Sequence, residues 1–297
     1  MNLYVITGPT ASGKTAMSIE LAERIGGEII NADSMQIYKY MDIGTAKPTV
    51  GERRAVPHHL IDIVHPSESY SVADYCDEAR RCIDGIVQRG KIPILVGGTG
   101  LYIDSVVYNI NYSPVRADES YRSMMNEEAD RLGNEYIYNK LRKIDPQSAE
   151  KIEMNDRRRI IRALEVYRLT GETQTEHKIR SRQTPPPHSA KIYAINTDRQ
   201  ILYDRINKRV DIMFERGLAD EVKALVEMGI DRETTAMQAI GYKEVLHYLD
   251  GDISLEEAKE IIKQSSRRYA KRQLTWFRRN DDIEWVESVK DCESSPQ

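Results

Sequence analysis

The first part of the chain alternates between short apolar runs and segments whose apolar residues recur at helical spacing. Apolar runs occur at Leu3–Ile6, His59–Val64 and Ile92–Val96, and helical spacing occurs in Ala16–Ala22 and Val72–Gln88. Short apolar runs between turn residues are typical of buried strands, whereas recurrence every three to four residues is typical of amphipathic helices. The pattern therefore predicts an α/β protein in which helices connect the strands of a parallel sheet.

From about Arg116 this alternation gives way to a long helical stretch. Residues 119–170 are rich in Glu, Arg, Lys and Leu at helical spacing, and no strand pattern interrupts them. The clearest helix begins after Asp156, whose side chain can cap it, and ends at Gly171. This part of the chain is therefore predicted to be all-helical.

A proline-rich stretch separates the helical part from a further strand. Arg182–His188 contains three consecutive prolines, which favour an extended hinge, and Lys191–Thr197 returns to a strand pattern. We therefore predict an all-helical insertion, residues 116–189, within a core formed by residues 1–115 and 190–297.

Composition narrows the class of protein further. The chain has 297 residues, 40% of them apolar and 30% charged, and its net charge of −4 makes a generally basic surface unexpected. The three cysteines form no C-x-x-C pair, so neither a disulfide framework nor a cysteine zinc site is indicated. His58, His59 and His65 lack a carboxylate at ligand spacing and are interpreted as turn and strand-end residues. No signal sequence precedes the first strand and no apolar run approaches about 18 residues, so we expect a cytoplasmic protein without a membrane segment.

The strongest chemical signal is Gly8-Pro9-Thr10-Ala11-Ser12-Gly13-Lys14-Thr15, which follows the first predicted strand and opens the first predicted helix. This is the order of a P-loop, whose backbone N–H groups surround the phosphates of a diphosphate or triphosphate. The helix N-terminus contributes partial positive charge, Lys14 contributes a full charge, and the Thr15 hydroxyl can hold Mg²⁺. We therefore predict a P-loop-kinase-like parallel sheet flanked by helices, with residues 8–15 as its diphosphate-binding loop.

Two strand ends are expected to flank this loop. A short apolar strand ends at Asp33, and ligands of parallel sheets collect at such carboxyl ends; a turn or capping role for Asp33 is the alternative. The strand at 92–96 ends in Gly97-Gly98-Thr99, where enzymes that hydrolyse a nucleotide usually carry an acidic residue. The missing carboxylate favours an enzyme that positions a phosphorylated substrate over a motor or switch. Residues 35–39 and 43–48 are too polar and broken for a long element and are predicted to form a substrate-facing loop.

The last third of the chain is predicted to be helical and carries two candidate phosphate-binding segments. Leu202–Arg216 places Arg209 on a helix that ends at Gly217. Lys263–Arg279 contains seven cations and no acid, mixed with the aromatic residues Tyr269, Trp276 and Phe277. Such a mixture favours phosphate contacts combined with base stacking, hence a nucleic-acid surface; a solvated helix face is the alternative.

Together these segments resemble one family, the bacterial tRNA dimethylallyltransferases, also called tRNA isopentenyltransferases. The matching segments occur in the right order over essentially the whole chain: GPTASGKT at 8–15, Asp33–Tyr38, Met41–Pro48, Val96–Tyr102, Arg159–Leu164 and Lys271–Trp276. The combination of Asp-Ser-x-Gln with IGTAKP is highly specific. Eukaryotic members add a C-terminal zinc finger that this sequence lacks, which is consistent with a bacterial form.

The resemblance implies a prenyltransferase that modifies tRNA. Members of the family hold dimethylallyl diphosphate by its diphosphate in the P-loop. They transfer the dimethylallyl group to N6 of the adenosine at tRNA position 37, beside the anticodon, and this base must be flipped out to react. The implied cofactor is Mg²⁺ and the implied partner is the tRNA anticodon stem-loop, clasped by the helical insertion. No membrane partner is implied, and we expect a monomer.

The resemblance also implies roles for individual residues. Asp33 is expected to be the general base that takes the N6 proton, while Lys14, Thr15 with Mg²⁺, Thr99 and Arg209 are expected to hold the diphosphate. Residues of several segments, including the basic helix, are expected to contact tRNA together with Asp33 and Thr99: Ser34, Met35, Gln36, Arg122, Arg157, Arg158, Arg159, Ile160, Ile161, Gln238, Gly241, Tyr242, Lys243, Arg268, Lys271 and Arg272.

Two other functions remain compatible with parts of the sequence. An ATP-dependent small-molecule kinase would use the same loop and a carboxylate after the second strand, but the basic aromatic helix argues against it. A nucleotide- and RNA-binding protein without enzymatic activity would explain the basic helix, but Asp33 beside the P-loop argues against that function.

Overall fold

A computed structural model of the chain describes residues 2–110, 117–181 and 183–293. Within these ranges the strands are β1 (Asn2–Thr7), β2 (Gly27–Asn31), β3 (His58–His59), β4 (Ile92–Gly97), β5 (Ser189–Ile195) and β6 (Ile283–Val286). They form one sheet in the order β3-β2-β4-β1-β5-β6, and every neighbouring pair is parallel. Parallel strands need crossover connections, which helices supply here, so the predicted α/β class is confirmed.

Helices connect the strands and form a separate helical region. In chain order they are α1 (Lys14–Ile25), α2 (Val50–Ala55), α3 (Val72–Gln88), α4 (Gly100–Val107), α5 (Glu119–Leu132), α6 (Asn134–Ile144), α7 (Pro146–Ala149), α8 (Arg157–Thr170), α9 (Gln174–Ser181), α10 (Arg199–Glu215), α11 (Leu218–Glu227), α12 (Tyr242–Leu249), α13 (Leu255–Phe277) and α14 (Val289–Glu293). None of the helices in the described ranges is long and apolar enough to cross a membrane.

The chain forms two compact units. The first comprises Met1–Val106 and His188–Gln297 and contains the sheet, and the second is Val107–Pro187, in which every named element of the described residues is a helix. Arg116, where the insertion was predicted to begin, and Arg182, at the start of the predicted hinge, lie outside the described residues.

Local sequence signals set the ends of several helices. At the start of α3, Ser71 Oγ accepts the N–H of Asp74, and the Asp74 carboxylate accepts the N–H of Ser71. Asp156 caps α8 by accepting the N–H of Arg159 at 3.2 Å, and Gly171, with φ of 74°, ends that helix. These predicted boundaries are confirmed, and each such N-cap contributes about 1 kcal/mol.

The core of the first unit lies on both faces of its sheet. Val5, Ile6, Ile30 and Leu95 on the central strands are inaccessible to solvent, and every residue of β2 is buried. Such continuous burial is expected of parallel strands that helices cover on both sides. Polar side chains can therefore meet a ligand at the carboxyl ends of the strands, rather than along them.

The predicted strand His59–Val64 is wrong over most of its length. β3 contains only His58–His59, because Leu60 and Asp62 adopt left-handed backbone conformations with φ of 60° and 58°. Such conformations do not fit a continuous strand. The apolar pattern instead reflects a loop that buries Leu60 and Val64.

One strand is absent from the sequence-based prediction. The last third of the chain was expected to be helical, yet β6 pairs with β5 at the edge of the sheet. This strand, Ile283–Val286, is only four residues long, so its sequence pattern is too short to distinguish from that of a loop. Its pairing with a distant strand makes it part of the sheet.

Candidate active site

The loop between β1 and α1 curls around the ammonium group of Lys14. Gly8, Ala11 and Gly13 have positive φ values of 140°, 64° and 99°, so the chain turns sharply at each of them. Lys14 Nζ donates to the carbonyl oxygens of Gly8 at 3.0 Å and Pro9 at 2.7 Å. A cation and the N-terminus of α1 thus meet at the carboxyl end of β1, which suits an anion.

Arg209 adds a second cation to this loop. From α10, its Nη1 donates to Thr10 Oγ1 at 3.2 Å. Burial is the main cause that lowers the pKa of Lys14 to about 7, and repulsion from Arg209 is the second. The negative charge of Asp33 acts in the opposite direction. Burial also lowers the pKa of Arg209, again opposed by Asp33. Two desolvated cations near one carboxylate form a site where an added anion is stabilised.

Asp33 follows β2 and faces the same cleft as Lys14 and Thr15. This cleft has an empty volume of about 390 Å³, and its lining includes all three residues. Asp33 Oδ1 accepts the N–H of Met35 at 2.9 Å, which closes a turn. The turn role considered for Asp33 is therefore present, and its half-buried carboxylate also lies at the P-loop.

Thr99 joins the end of β4 to the turn after β2. Its Oγ1 accepts the N–H of Ser34 at 3.0 Å and donates to Ser34 Oγ at 3.3 Å. A Cβ on Gly97 would lie 2.1 Å from the carbonyl oxygen of Ala32, so the close approach of these strand ends requires glycine. The hydroxyl of Thr99 is consequently held beside Asp33, at the position where many P-loop enzymes carry a carboxylate.

Gln273 of α13 reaches the site, although it was not among the predicted site residues. The residue is 5% exposed; its Oε1 accepts the N–H of Thr10 at 2.8 Å, and its Nε2 donates to the carbonyl oxygen of Gly98 at 2.8 Å. The available sequence signal is a polar residue on an apolar helix face, three residues after the buried Ala270 and four before the buried Phe277.

The aromatic residues of the basic segment have separate structural roles. Phe277 is 1% exposed and belongs to the core, so its predicted stacking role is wrong. Trp276 Nε1 donates to Asp104 Oδ2 at 2.9 Å, and Tyr269 forms a side-chain hydrogen bond with Thr99. The exposed cations near this end of α13 include Arg268, Lys271 and Arg272.

Comparison with known proteins places the chain in a family. A family model described as IPP transferase matches residues 36–280, and one described as isopentenyl transferase matches residues 1–62. The tRNA dimethylallyltransferase of Acetivibrio thermocellus is 55% identical over 285 residues, which are 96% of this chain and 91% of that protein. The chain belongs to the IPP transferase family.

Other relatives and solved structures of the family are similar over the same extent. The tRNA dimethylallyltransferase of Carboxydothermus hydrogenoformans is 53% identical over 97% of this chain and 93% of that protein. The tRNA isopentenylpyrophosphate transferase of Bacillus halodurans matches with a TM-score of 0.71 at 49% identity, over 96% of this chain and 89% of that one. A eukaryotic dimethylallyltransferase acting on tRNA matches with a TM-score of 0.79 at 33% identity, over 99% and 75%. The P-loop-type sheet with a helical insertion is thus the fold of this chain.

Part of the loop predicted to face the substrate is fixed by contacts within the protein. Lys47 is 8% exposed, donates to the carbonyl oxygen of Tyr38 at 2.8 Å, and forms ion pairs with Asp42 at 2.7 Å and Asp62 at 2.5 Å. Gln36 Nε2 donates to two carbonyl oxygens of the same loop. These contacts shape the loop that carries Gln36 into the cleft.

Glu221 of α11 holds the same loop from outside it. Its carboxylate accepts the consecutive N–H groups of Asp42, Ile43 and Gly44 at 2.8, 2.7 and 3.0 Å, and the hydroxyl of Tyr242 at 2.6 Å. A Cβ on Gly44 would lie 2.5 Å from the Tyr242 ring. No local sequence pattern indicates this contact, since its partners lie about 178 positions apart.

The residues expected to contact tRNA differ in their accessibility. The exposed ones are Arg158, Arg159, Gln238, Arg268, Lys271 and Arg272, and the half-buried ones include Ser34, Met35, Gln36 and Lys243. Ile160, Ile161 and Tyr242 are at most 4% exposed, and Gly241 is buried. Their side chains build the protein core instead of presenting a surface to RNA.

Two arginines expected at the tRNA are engaged in ion pairs within the helical unit. Arg122 pairs with the fully buried Glu165 at 2.8 Å and with Glu119 at 3.1 Å. Arg157 pairs with Asp130 at 2.6 Å. These pairs fix the orientation of both guanidinium groups, which remain partly exposed.

Proposed function

We propose that this chain transfers a dimethylallyl group from dimethylallyl diphosphate to N6 of the adenosine at tRNA position 37, beside the anticodon, and releases diphosphate. The observation that carries the proposal is a P-loop facing Asp33 across one cleft, with Thr99 instead of a carboxylate after β4. This arrangement suits a diphosphate that departs as a leaving group better than a nucleotide that is hydrolysed. Membership of the IPP transferase family supports it.

The reaction replaces one bond to carbon with another. The N6 amine attacks the allylic carbon of the substrate, a C–N bond forms, the C–O bond to diphosphate breaks, and the amine loses a proton. Asp33 would take that proton, because a carboxylate with one oxygen engaged in the turn still has an acceptor available. An exocyclic amine is a weak nucleophile, so positioning and stabilisation of the leaving group must supply much of the acceleration.

The leaving diphosphate would be neutralised by groups already near the loop. Lys14 and Arg209 supply positive charge, Thr99 supplies a hydroxyl, and the backbone of residues 8–15 supplies N–H donors. Such preorganised donors stabilise developing charge without reorganising during the reaction.

A divalent cation is generally expected with a diphosphate substrate, and Mg²⁺ fits the donors present. Mg²⁺ prefers oxygen ligands and keeps several waters, so the single hydroxyl of Thr15 beside the diphosphate oxygens suffices. Among the described residues no group of three or more His, Cys, Asp or Glu side chains forms a metal site of its own. Thr15 would therefore hold the ion together with the substrate, and the ion would offset the charge of the leaving group.

The tRNA would bind through local basic surfaces of a net-acidic chain. Exposed cations lie on α13, at Arg268, Lys271 and Arg272, and on α8, at Arg158 and Arg159. We assign these to phosphates of the anticodon stem-loop, with the target adenosine flipped towards Asp33. We expect the protein to act as a monomer.

One assay tests this function against a kinase. Unmodified tRNA is incubated with the protein, Mg²⁺ and either dimethylallyl diphosphate labelled in the prenyl group or ATP labelled in the γ-phosphate. We expect prenyl label in tRNA, none in a tRNA with guanosine at position 37, and no consumption of ATP. Phosphoryl transfer from ATP without prenylated RNA would instead establish the kinase.

A further inference from the structure

Gln273 contacts the two segments that flank the proposed diphosphate site. Its amide accepts from the N–H of Thr10 in the P-loop and donates to the carbonyl oxygen of Gly98, each at 2.8 Å. Gly98 precedes Thr99, whose side chain also bonds to Tyr269, one turn before Gln273 on α13. Gln273 is 5% exposed; its bond to Gly98 is buried and its bond to Thr10 is partly buried. A hydrogen bond that is shielded from water fixes geometry more strongly than an exposed one.

Thr10 is consequently held from two helices at once. Arg209 of α10 donates to its hydroxyl at 3.2 Å, and Gln273 of α13 accepts its N–H. In a P-loop the consecutive N–H groups generally face the phosphates. The N–H of Thr10 faces Gln273 instead, so this bond fixes the direction in which the rest of the loop turns.

Gly98 provides an independent probe of the same contact. A Cβ there would lie 2.2 Å from Gln273 Nε2, and the next nearest atoms, Gln273 Cδ and Gly8 O, would lie at 3.5 and 3.6 Å. Gly98 is not among the residues with positive φ, so its backbone admits alanine. The side-chain amide of Gln273 is therefore the obstacle, and Gly98→Ala would displace it without altering Gln273 itself.

We propose that Gln273 is a positioning residue that sets the diphosphate loop relative to Thr99 and anchors α13, with its exposed cations, to that loop. The proposal rests on the proposed function for the identity of the substrate, but the contact governs the binding of any diphosphate. Loss of the amide contacts weakens diphosphate binding and slows transfer. Affinity for tRNA, to which the exposed cations of α13 and α8 contribute, changes little.

The test compares Gln273→Met, which keeps length and volume but not the hydrogen bonds of the amide, with Gln88→Met at an exposed position. Binding of inorganic pyrophosphate with Mg²⁺ is measured by calorimetry, and transfer is measured with tRNA and dimethylallyl diphosphate varied separately. Each neutral hydrogen bond contributes a factor of roughly 3 to 10. We expect pyrophosphate affinity and kcat/KM for dimethylallyl diphosphate to fall about 10- to 100-fold in Gln273→Met, with the KM for tRNA within about twofold. Gln88→Met is expected to match the parent.

Gly98→Ala and the double variant sharpen the test. Gly98→Ala is expected to reproduce the loss, because the new methyl group displaces the amide. Adding Gly98→Ala to Gln273→Ala is expected to cost nothing further, because the obstacle is already absent, whereas independent effects would multiply.

Three outcomes would overturn the positioning role. In the first, both Gln273→Met and Gly98→Ala bind pyrophosphate within about twofold of the parent. In the second, the effects of the two substitutions multiply in the double variant. In the third, pyrophosphate and tRNA affinity fall equally and the Tm is lower. A parent protein that binds pyrophosphate but prenylates no tRNA would refute the proposed function alone, since the calorimetric comparison would still decide the role of Gln273.

Discussion

Lys14, Arg209 and Asp33 form a small electrostatic unit at the P-loop. Burial lowers the pKa of both cations, and repulsion from Arg209 lowers that of Lys14 further, to about 7. The single carboxylate only partly offsets these effects. A bound diphosphate has the same sign as Asp33 and more charge, so it would favour the charged form of both cations.

Asp33→Asn keeps the oxygen that accepts the N–H of Met35 but removes the basic oxygen. We expect tRNA and dimethylallyl diphosphate to bind normally while the single-turnover rate falls about 10²- to 10³-fold, the lower part of the range for general-base catalysis, because the amine loses its proton late. Asp84→Asn, on the exposed side of α3, is the matched control. A rate within about threefold of the parent would exclude Asp33 as the base. Loss of tRNA binding would indicate that Asp33 mainly orients the adenine.

The lowered pKa of Lys14 makes diphosphate binding depend on pH. Above pH about 7 the ammonium is largely deprotonated in the free protein, whereas the bound diphosphate favours its protonated form, so binding takes up a proton. The second pKa of a phosphate ester is about 6, so the charge of the ligand itself changes little above pH 7. We expect the affinity for dimethylallyl diphosphate to fall by up to about tenfold per pH unit between pH 7 and 9.

Lys14→Arg provides the control for this pH dependence. An arginine stays protonated throughout this range, so whatever its absolute affinity, the variant should bind with little pH dependence. Calorimetry in two buffers of different ionisation enthalpy also measures the number of protons that are taken up on binding. A flat profile in the parent, or the same slope in both proteins, would contradict the assignment to Lys14.

At the scale of elements, α13 has two distinct faces. Ala270, Gln273 and Phe277 are at most 5% exposed and pack into the first unit, whereas Arg268, Lys271 and Arg272 are exposed. Helical spacing produces this division, because residues three and four positions apart share a face. One helix can therefore hold the P-loop with its buried face and contact RNA phosphates with its other face.

Replacing Arg268, Lys271 and Arg272 by Ala tests the exposed face of α13. Each phosphate contact contributes somewhat less than one unit to the slope of log affinity against log salt, so we expect weaker tRNA binding and a slope smaller by about two to three units. The KM for dimethylallyl diphosphate should barely change. Arg81→Ala with Lys91→Ala, at exposed positions elsewhere, controls for lost charge. Unchanged tRNA affinity with a lower Tm would show that the three cations are structural.

At the scale of the whole molecule, the two compact units have separate cores. The helical unit, Val107–Pro187, buries a cluster of its own that contains Ile137, Leu141, Ile160, Ile161 and Leu164. The core of the first unit surrounds the sheet that carries the P-loop. Damage to the helical core is thus expected to leave the diphosphate site in place.

Ile160→Ala tests this separation. Truncating a buried isoleucine leaves a cavity that costs about 2–5 kcal/mol, so we expect faster hydrogen exchange in residues 119–170 and weaker tRNA binding. Pyrophosphate affinity should match the parent. Leu169→Ala, 44% exposed on the same helix, should change neither property. Loss of pyrophosphate binding in Ile160→Ala would show that the two units depend on one another for stability.

The sequence alone determined those features that depend on neighbouring residues. The P-loop is readable because the phosphate-binding backbone, the lysine and the helix start lie within residues 8–15. The Ser71 and Asp156 caps are readable because each bonds to an N–H three residues later. Asp33 was recognisable because the strand before it is short and apolar. Such local signals also carried the α/β class and the helical insertion.

Only the tertiary structure decided which distant groups meet. Gln273 bonds to Thr10 across 263 positions, and Glu221 bonds to Ile43 across 178. A polar residue on a helix, even one on an apolar face, does not reveal which distant group it contacts, because an exposed glutamine or glutamate produces a similar local pattern. β6 belongs to the sheet only through its pairing with β5, and left-handed residues in a loop interrupt the apolar run after His59. The local chemistry of the site is therefore written in short segments, while its geometry depends on packing between elements far apart in the chain.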